Sequence, residues 1–285
     1  MTERPGRLVL HAMGTEVTID GPDALQMRQE LVRLEAILTR FRESPVTRLN
    51  RAGRLRHPDP VLLGALSWAV EACRLSGGLV TPLVGCSMDW HGYRESWSEG
   101  VDWQVPEGEP PAIANCGQLE VSEAGIVLPD GAAIDLGGTA KSWIVERVAA
   151  GHQDVVIDAG GDVLIDSSKP HDVNLLGGAE DWHLEFPPGR WAVATSSVAR
   201  RAWRGGHHLL DVRTGRPVKS RWVQATVLAR SLKLAEVATK LLLMDAPIPD
   251  SLQVEGAWVV DETGTLVEHQ MGEPHGTQRD LVPAG

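Results

Sequence analysis

The chain has 285 residues, a formal net charge of -11 at pH 7 and 42% hydrophobic residues, a composition typical of a globular protein with enough material for a sizeable core. The negative charge argues against a nucleic-acid-binding surface, because phosphate backbones are bound by clustered Lys and Arg. Cys73, Cys86 and Cys116 lack C-x-x-C spacing, which argues against a disulfide framework or a zinc site and favours a reducing compartment. The sequence opens without a secretion signal and has no apolar stretch of membrane-spanning length, so cytoplasmic residence is the expectation.

The first part of the chain predicts two strands followed by two helices. Alternating apolar residues indicate strands at 8–11 and 17–19, with a bend between them. Leucines at helical spacing predict a helix over 23–40 behind an Asp cap. A second helix is expected over 59–77, because Asp followed by Pro is a favoured helix start and paired glycines end it.

Residues at about 85–118 predict a long irregular loop, since Gly, Pro, Trp and acidic residues follow one another there without a clear period. We expect this loop to fold over a site, with residues 88–92 the part that touches a ligand. The later elements are predicted as strands at 192–195 and 209–211, a turn at 214–217, a helix over 231–244 and a hairpin over 257–267. Strands and helices mix without a regular βαβ period, which favours an α+β fold over a doubly wound sheet.

Two glycine-hinged segments, 134–141 and 155–162, lead from an apolar stretch through paired glycines to a charged residue. Glycine lets a backbone press its N–H groups against an anion. The first segment also precedes a helix predicted over 142–150, whose N-terminal dipole favours phosphate, so the two segments together indicate a phosphate-handling site. Paired glycines are equally typical of a plain tight turn, and neither segment is a Walker loop or a G-x-G-x-x-G fingerprint.

Six ordered motifs between about Leu8 and Val267 carry a resemblance to a known family. They are 13–15, 47–50, 135–141, 158–162, 194–196 and the pair 208–211 with 214–217. In this series the chain resembles the FAD:protein FMN transferases, the ApbE-like flavin transferases. The resemblance implies a single domain over residues 1–285, with a mixed, largely antiparallel sheet and flanking helices.

The resemblance also implies an enzyme that binds FAD and uses Mg²⁺ to move the FMN half onto a Ser or Thr hydroxyl of an acceptor protein, releasing AMP. Attack on the pyrophosphate needs charge neutralisation at phosphorus and a route for the hydroxyl proton. His208 falls at the family's histidine, where a proton acceptor is expected, and Asp211 is placed to orient the turn or the imidazole. His207 is a near neighbour, but the family spacing to Asp211 selects His208.

The same comparison of motifs assigns contacts with FAD. The residues expected to contact it are Met13, Asp135, Lys141, Thr195 and Leu210, with Phe41, Met88, Asp89 and Trp90 aligned more loosely. From the residues alone, a carboxylate beside a glycine turn also commonly accepts backbone N–H bonds, a role open to Asp135, Asp158 and Asp162. Lys141 could hold a phosphate as a point charge or remain in solvent.

The metal site departs from the family pattern. In the family a carbonyl of the glycine turn and two side chains of a later helix hold the metal, and the matching positions here are Gly138, Glu236 and Lys240. Glu can offer oxygen to Mg²⁺, but a protonated lysine has no lone pair. Three outcomes are open. A shift of register by one residue would bring in Thr239 as a ligand, or Lys240 could place its ammonium where part of the metal charge would sit. In the third, metal-dependent transfer has been lost. Glu236 and Lys240 have the spacing of a surface ion pair, and Ser142, where the family usually has Gly, is a smaller departure.

The leading hypothesis is therefore a cytoplasmic FAD:protein FMN transferase whose partner is an acceptor flavoprotein with a Ser or Thr flavinylation site. No nucleic acid and no membrane span are expected. Two alternatives use the same site. One is a flavin- or adenine-nucleotide-binding protein with weakened catalysis, which Lys240 favours, and the other is an FAD pyrophosphatase that releases FMN and AMP to water.

Overall fold

The computed structural model describes residues 6–97, 103–175, 182–269 and 282–283. Contacts between Cα atoms divide the chain into two units. The first unit comprises residues 1–32, 142–197 and 220–285, and the second comprises residues 33–141 and 198–219. None of the helices within the described ranges is long and apolar enough to cross a membrane. The single domain over residues 1–285 stays a prediction.

Six helices and eighteen strands are formed by the described residues. The helices are α1 Ala24–Leu38, α2 Pro45–Ala52, α3 Pro60–Leu75, α4 Gly85–Trp90, α5 Ala140–Ala149 and α6 Leu232–Leu243, with 3₁₀ turns at Cys116–Gln118 and Asp250–Leu252. The strands are β1 Arg7–Ala12, β2 Thr15–Asp20, β3 Arg54–Arg56, β4 Glu120–Val121, β5 Gly125–Val127, β6 Val155–Ala159, β7 Val163–Ser167, β8 His171–Leu175, β9 Trp182–Phe186, β10 Gly189–Ser197, β11 Ala202–Trp203, β12 Gly206–His207, β13 Leu210–Asp211, β14 Arg216–Pro217, β15 Trp222–Ala229, β16 Gly256–Asp261, β17 Leu266–Glu268 and β18 Val282–Pro283.

An eight-stranded sheet forms the centre of the first unit, in the order β1-β2-β6-β7-β10-β15-β16-β17, and every neighbouring pair in it is antiparallel. The middle strands β10 and β15 carry unbroken buried runs, because both of their faces are covered. Trp191 and Val193 of β10 pack in an apolar cluster with Phe186, and Ser196 on the opposite face contacts Thr239 of α6. The predicted α+β class with a largely antiparallel sheet is confirmed.

Side-chain caps explain where two of the predicted helices begin. The side chain of Asp59 accepts the N–H of Val61 at 2.8 Å before α3, and Ser231 accepts the N–H of Leu234 at 3.4 Å before α6. Helix α2 was not predicted from the sequence, although Ser44 caps it. Within the predicted irregular loop, α4 and the 3₁₀ turn at 116–118 are regular, and residues 98–102 lie outside the described residues.

The two glycine-hinged segments have different structures. Segment 155–162 is the hairpin between β6 and β7, in which Gly160 and Gly161 have φ of 70° and 94° and Asp158 Oδ1 accepts the Gly161 N–H at 2.9 Å. A tight turn accounts for these glycines, so of the two interpretations of this segment the structure supports the turn and not a phosphate site. The first segment leads into α5, which begins at Ala140 rather than at the predicted residue 142, so Lys141 lies in the first turn of the helix.

Replacing Gly160 tests the close packing of this turn. A Cβ at Gly160 would lie 2.1 Å from Thr15 Oγ1, so Gly160→Ala must both keep a left-handed φ and displace Thr15. Gly151 has φ of 85° with no atom within 4 Å of such a Cβ, which makes Gly151→Ala the matched control. We expect the free energy of unfolding to fall by about 2–5 kcal/mol for Gly160→Ala and about 1–2 kcal/mol for the control, measured by urea titration of tryptophan fluorescence. Equal losses would contradict the contact with Thr15.

Candidate active site

The side chain of Arg40 connects three segments of the second unit. Its Nη1 donates to Asp89 Oδ1 at 2.7 Å, its Nε donates to Asp135 Oδ2, and its Nη2 donates to the carbonyl oxygen of Tyr93. Arg40 follows α1, Asp89 lies on α4 and Asp135 precedes the first glycine turn. One guanidinium therefore holds Asp89 and Asp135, both predicted to contact FAD.

Burial and neighbouring charges shift the pKa of Arg40 in opposite directions. Its side chain is 8% exposed and that of Asp135 is 7% exposed, so water screens their interaction weakly. Burial works to lower the pKa of Arg40, but Asp135 and Asp89 outweigh it and raise that pKa above its ordinary value. The guanidinium therefore remains charged, and its loss would leave a buried carboxylate unpaired.

Aromatic and apolar side chains lie beside Arg40 in a group that we call the aromatic cluster. Its members are Phe41, Val84, Met88, Tyr93, Trp97, Trp103, Val105, Trp203 and Leu210. Arg40 Cζ lies 4.7 Å from the centroid of the Phe41 ring and 5.5 Å from that of Tyr93, and these two rings meet edge to face at 5.4 Å. Phe41, Met88 and Leu210, which are far apart in sequence and were predicted to contact FAD, meet in this cluster.

Helix α4 positions the segment that was predicted to touch a ligand. Met88 packs in the aromatic cluster, Asp89 binds Arg40, and the ring of Trp90 meets that of His91 edge to face at 4.8 Å. His91 Nε2 lies 2.8 Å from the carbonyl oxygen of Gly215, in the turn between β13 and β14. The end of α4 is therefore fixed to the hairpin that follows His208.

Hydrogen bonds shape the first glycine turn. Asp135 Oδ1 accepts the N–H of Gly137 at 2.7 Å, and a Cβ at Gly137 would lie only 2.9 Å from that oxygen, so a side chain there would shift Asp135. Upstream, Asn50 Oδ1 accepts the N–H of Ile134 at 2.7 Å, while Asn50 Nδ2 donates to the Ile134 carbonyl at 2.9 Å. Asn50, the last residue of the motif at 47–50, thus fixes the segment that enters the turn.

The structure distinguishes the two adjacent histidines. His207 Nδ1 accepts the N–H of Leu209 at 3.2 Å, and its Nε2 lies 3.1 Å from the carbonyl oxygen of Val218. These contacts assign a neutral ring with its proton on Nε2, and burial lowers the pKa of His207. Because both ring nitrogens are engaged, His207 is unsuited to accept a proton from a substrate. His208 lies between β12 and β13 and is partly buried.

Asp211 holds the turn between β13 and β14. Its Oδ1 accepts Arg213 Nε at 2.9 Å and its Oδ2 accepts Arg213 Nη2 at 2.8 Å, and these bonds lower the pKa of Asp211. Its carbonyl oxygen accepts the N–H groups of Thr214 and Gly215 at 3.1 and 2.8 Å. Of the two roles predicted for Asp211, these contacts support orientation of the turn.

Two other residues predicted to contact FAD, Met13 and Thr195, lie in the first unit. Met13 has φ of 54° beside Gly14 at 69°, so both central residues of the β1–β2 turn are left-handed. A non-glycine residue in that region costs about 1–3 kcal/mol and is often found where function requires it. The N–H of Thr195 donates to Asp162 Oδ1 at 2.9 Å, which gives Asp162 the backbone-binding role considered for it.

Glu236, Lys240 and Ser142 form a buried polar cluster in the first unit. Lys240 Nζ lies 3.2 Å from Glu236 Oε1 and donates to the Glu236 carbonyl at 3.2 Å, and the Ser142 hydroxyl donates to Glu236 Oε2 at 2.5 Å. The side chains of Glu236 and Lys240 are 5% and 8% exposed. The pair has the predicted i,i+4 spacing, but it is buried rather than at the surface.

These contacts do not fit a magnesium ion bound to Glu236. Mg²⁺ demands octahedral oxygen ligands, whereas both carboxylate oxygens of Glu236 already accept from donors and Lys240 brings a positive charge of its own. Over the described ranges, no group of three or more His, Cys, Asp or Glu side chains is placed to hold a metal. Gly138, the other predicted ligand, lies in the second unit, and its role stays a prediction.

Comparison with known proteins decides the family. A family model described as the ApbE family matches residues 13–253 of the chain. The chain belongs to the ApbE family. The ApbE match includes all six motifs on which the resemblance was based, and also the α6 positions of Glu236 and Lys240.

Individual ApbE relatives share 20–29% sequence identity with this chain. An FAD:protein FMN transferase of Vibrio cholerae serotype O1 (strain O395) is 29% identical over 128 residues, which span 39% of this chain and 38% of that protein. The solved structure of an ApbE protein from Thermotoga maritima matches with a TM-score of 0.76 and 20% identity, covering 92% of this chain and 96% of that one. The flavin transferase ApbE from Vibrio cholerae matches with a TM-score of 0.72, 20% identity and the same coverage. At such identities the solved structures establish the fold.

Arg40 and Tyr93, which contact the predicted site residues, were not predicted from the sequence. The available signal for Arg40 was its position, at the end of the helix predicted over 23–40 and directly before Phe41. Its partner Asp135 is 95 residues away along the chain, so no local pattern connects them.

Removing the Arg40 charge tests this buried network. Arg40→Met leaves Asp135 buried without its cation, and we expect the free energy of unfolding to fall by about 3–5 kcal/mol. Arg42, whose side chain is 56% exposed and 3.8 Å from Glu35, provides the matched control, and Arg42→Met should change stability by less than about 0.5 kcal/mol. Urea titrations of both variants measure the difference. Similar effects of the two substitutions would show that Arg40 does not hold the site together.

Acid should destabilise this chain through His91 and His207. Burial lowers the pKa of both imidazoles, so the unfolded chain, with ordinary imidazole pKa values of about 6.5, takes up protons before the folded chain does. Stability should therefore fall as the pH drops from about 7.5 towards 5.5, and His207→Gln should reduce that fall. The urea midpoint at each pH measures it, with exposed His11→Gln as control. An unchanged pH dependence in His207→Gln would contradict this account.

Proposed function

We propose that this ApbE-family chain is an FAD:protein FMN transferase, which moves FMN from FAD to a Ser or Thr hydroxyl of an acceptor flavoprotein and releases AMP. One observation carries the proposal: five residues that the resemblance implies as FAD contacts, two placed by motifs and three aligned more loosely, lie on Arg40 or in the aromatic cluster beside it. They are Phe41, Met88, Asp89, Asp135 and Leu210. A common ligand requires such a meeting of residues that are distant in sequence.

The aromatic cluster suits the flavin ring. Sites for flat organic cofactors are lined by apolar and aromatic side chains with a few fixed polar groups. Phe41, Met88 and Leu210 supply the apolar lining, and the half-exposed Asp89 supplies a carboxylate held in place by Arg40. We assign the FMN half of FAD to this cluster, with Trp90 of α4 as a further contact.

The first glycine turn and the start of α5 suit the pyrophosphate. Helix α5 has 10 residues, and the N-terminus of a helix carries a partial positive charge that favours phosphate. Lys141, in the first turn, adds a full positive charge. The remaining contacts assigned to FAD, Met13 and Thr195, are supported by the family resemblance alone.

The transfer itself needs one proton acceptor. The acceptor hydroxyl oxygen attacks the phosphorus on the FMN side of the pyrophosphate, the bond from that phosphorus to the AMP oxygen breaks, and AMP leaves with the electron pair. We assign His208 to accept the hydroxyl proton. The engagement of both nitrogens of His207 supports this choice, and Asp211 holds the turn that follows His208.

The proposal also concerns the need for Mg²⁺ and the cellular compartment. Mg²⁺ would neutralise charge on the pyrophosphate, but the contacts of Glu236 do not fit it, so no step above is assigned to a metal. Cytoplasmic residence is supported by Cys73, Cys86 and Cys116, which are all free thiols.

Transfer with a His208 variant tests the function. Purified protein, FAD and a candidate acceptor flavoprotein should yield a fluorescent band that survives denaturing electrophoresis. We expect His208→Gln to slow transfer by about 10²–10⁴-fold while FAD affinity, read from flavin fluorescence, stays unchanged. His207→Gln is the matched control and should transfer within a few fold of the parent protein at neutral pH.

Two results would count against the proposal. Intact FAD bound without transfer to any acceptor would favour a flavin-binding protein. Accumulation of free FMN and AMP without a labelled acceptor, separated by chromatography, would favour an FAD pyrophosphatase.

A further inference from the structure

Two departures from the family pattern meet at one carboxylate. The resemblance implies a metal ligand at the position of Lys240 and a Gly at that of Ser142, and the chain has neither. The ammonium of Lys240 lies 3.2 Å from Glu236 Oε1, and the hydroxyl of Ser142 donates to Glu236 Oε2. Ser142 lies on α5 and Lys240 lies on α6, 98 positions later in the chain. Both residues thus contact the same carboxylate.

The neighbouring Thr239 makes hydrogen bonds of its own. The Thr239 hydroxyl lies 2.8 Å from Ser196 Oγ and donates to the carbonyl oxygen of Glu236 at 2.8 Å. Thr239 is fully buried, with 0% of its surface exposed. In the register shift considered from the sequence, a metal at Thr239 would compete with Ser196 for the lone pairs of this hydroxyl.

The charge balance of the cluster is already complete. A buried carboxylate needs an opposite charge and hydrogen bonds to each oxygen, and Lys240 and Ser142 provide them. A divalent cation on Glu236 would place a second positive charge beside the buried ammonium or displace the ammonium from the carboxylate. Displacing the ammonium would break its ion pair with Glu236 Oε1 and its hydrogen bond to the Glu236 carbonyl, and lysine offers no oxygen to the metal in return.

We propose that the Lys240 ammonium takes the place of the divalent cation at Glu236, so that this chain carries out flavin transfer without Mg²⁺ on that carboxylate. The inference rests on the proposed function for its activity, but it concerns cation binding in its own right. Lys240 is a positioning and charge-supplying residue in this account, and Ser142 fixes the second oxygen of Glu236.

Binding of Mn²⁺, a spectroscopic substitute for Mg²⁺, tests the inference without any acceptor. The protein is titrated with Mn²⁺ in the presence of FAD, and free Mn²⁺ is followed by electron paramagnetic resonance. We expect the parent protein and Glu236→Gln to take up equal Mn²⁺, because Glu236 holds none. Lys240→Thr, which removes the ammonium and adds an oxygen, should bind Mn²⁺ at least tenfold more tightly than the parent.

Two control variants separate loss of the Lys240 ammonium from the gain of an oxygen ligand and from loss of any lysine on α6. Lys240→Met removes the ammonium without offering oxygen, and Lys233→Met removes a lysine of the same helix that lies 3.4 Å from Glu146. Lys233→Met should behave as the parent does. Circular dichroism of each variant establishes that it is folded before titration, and the comparison of the parent with Glu236→Gln decides the question if Lys240→Thr does not fold.

Transfer in excess chelator supplies the second readout. The parent should retain its rate, Lys240→Met should lose at least tenfold with or without Mg²⁺, and Lys240→Thr should become dependent on Mg²⁺. Mn²⁺ uptake by the parent that Glu236→Gln abolishes, or loss of parental transfer in chelator that Mg²⁺ restores, would overturn the inference. Absence of transfer under every condition would instead reject the proposed function, and the Mn²⁺ titration would still decide the cation site.

Discussion

The second unit depends on one buried guanidinium that must face two carboxylates. Arg40 is shielded from water, so its charge is tolerated only while Asp135 and Asp89 keep their positions. This requirement connects the end of α1, helix α4 and the first glycine turn. Phe41 and Met88 sit beside those partners, and their places in the aromatic cluster follow from the same constraint. Groups held in this way before a ligand arrives lose little freedom when it binds.

Local signals in the sequence predicted the parts of the fold that short-range chemistry determines. Helix α6 begins behind Ser231 because that hydroxyl bonds an N–H three residues ahead, and the same logic placed α3 behind Asp59. Helix α4 was missed because it is a single short helix in a Gly-rich stretch without a period. The contacts of Arg40 with Asp135 and of Ser142 with Glu236 join residues 95 and 94 positions apart, and only the fold brings such pairs together.

The family motifs predicted more residues of the candidate site than composition or periodicity did. They and the looser alignment around them implied Phe41, Met88 and Leu210, which share no local pattern and yet pack in one cluster. They could not indicate that Ser142 and Lys240, each a departure when taken alone, satisfy the two oxygens of Glu236. Substitutions that look like losses in a sequence can therefore be parts of one altered arrangement, in which a protein cation stands beside the carboxylate.

The most direct test of this account is a crystal of the protein soaked with FAD and Mn²⁺, with diffraction data collected at the manganese absorption edge. The account predicts no anomalous peak bonded to the carboxylate of Glu236, with the Lys240 ammonium still against that carboxylate. A manganese peak bonded to Glu236, with Lys240 displaced, would contradict it.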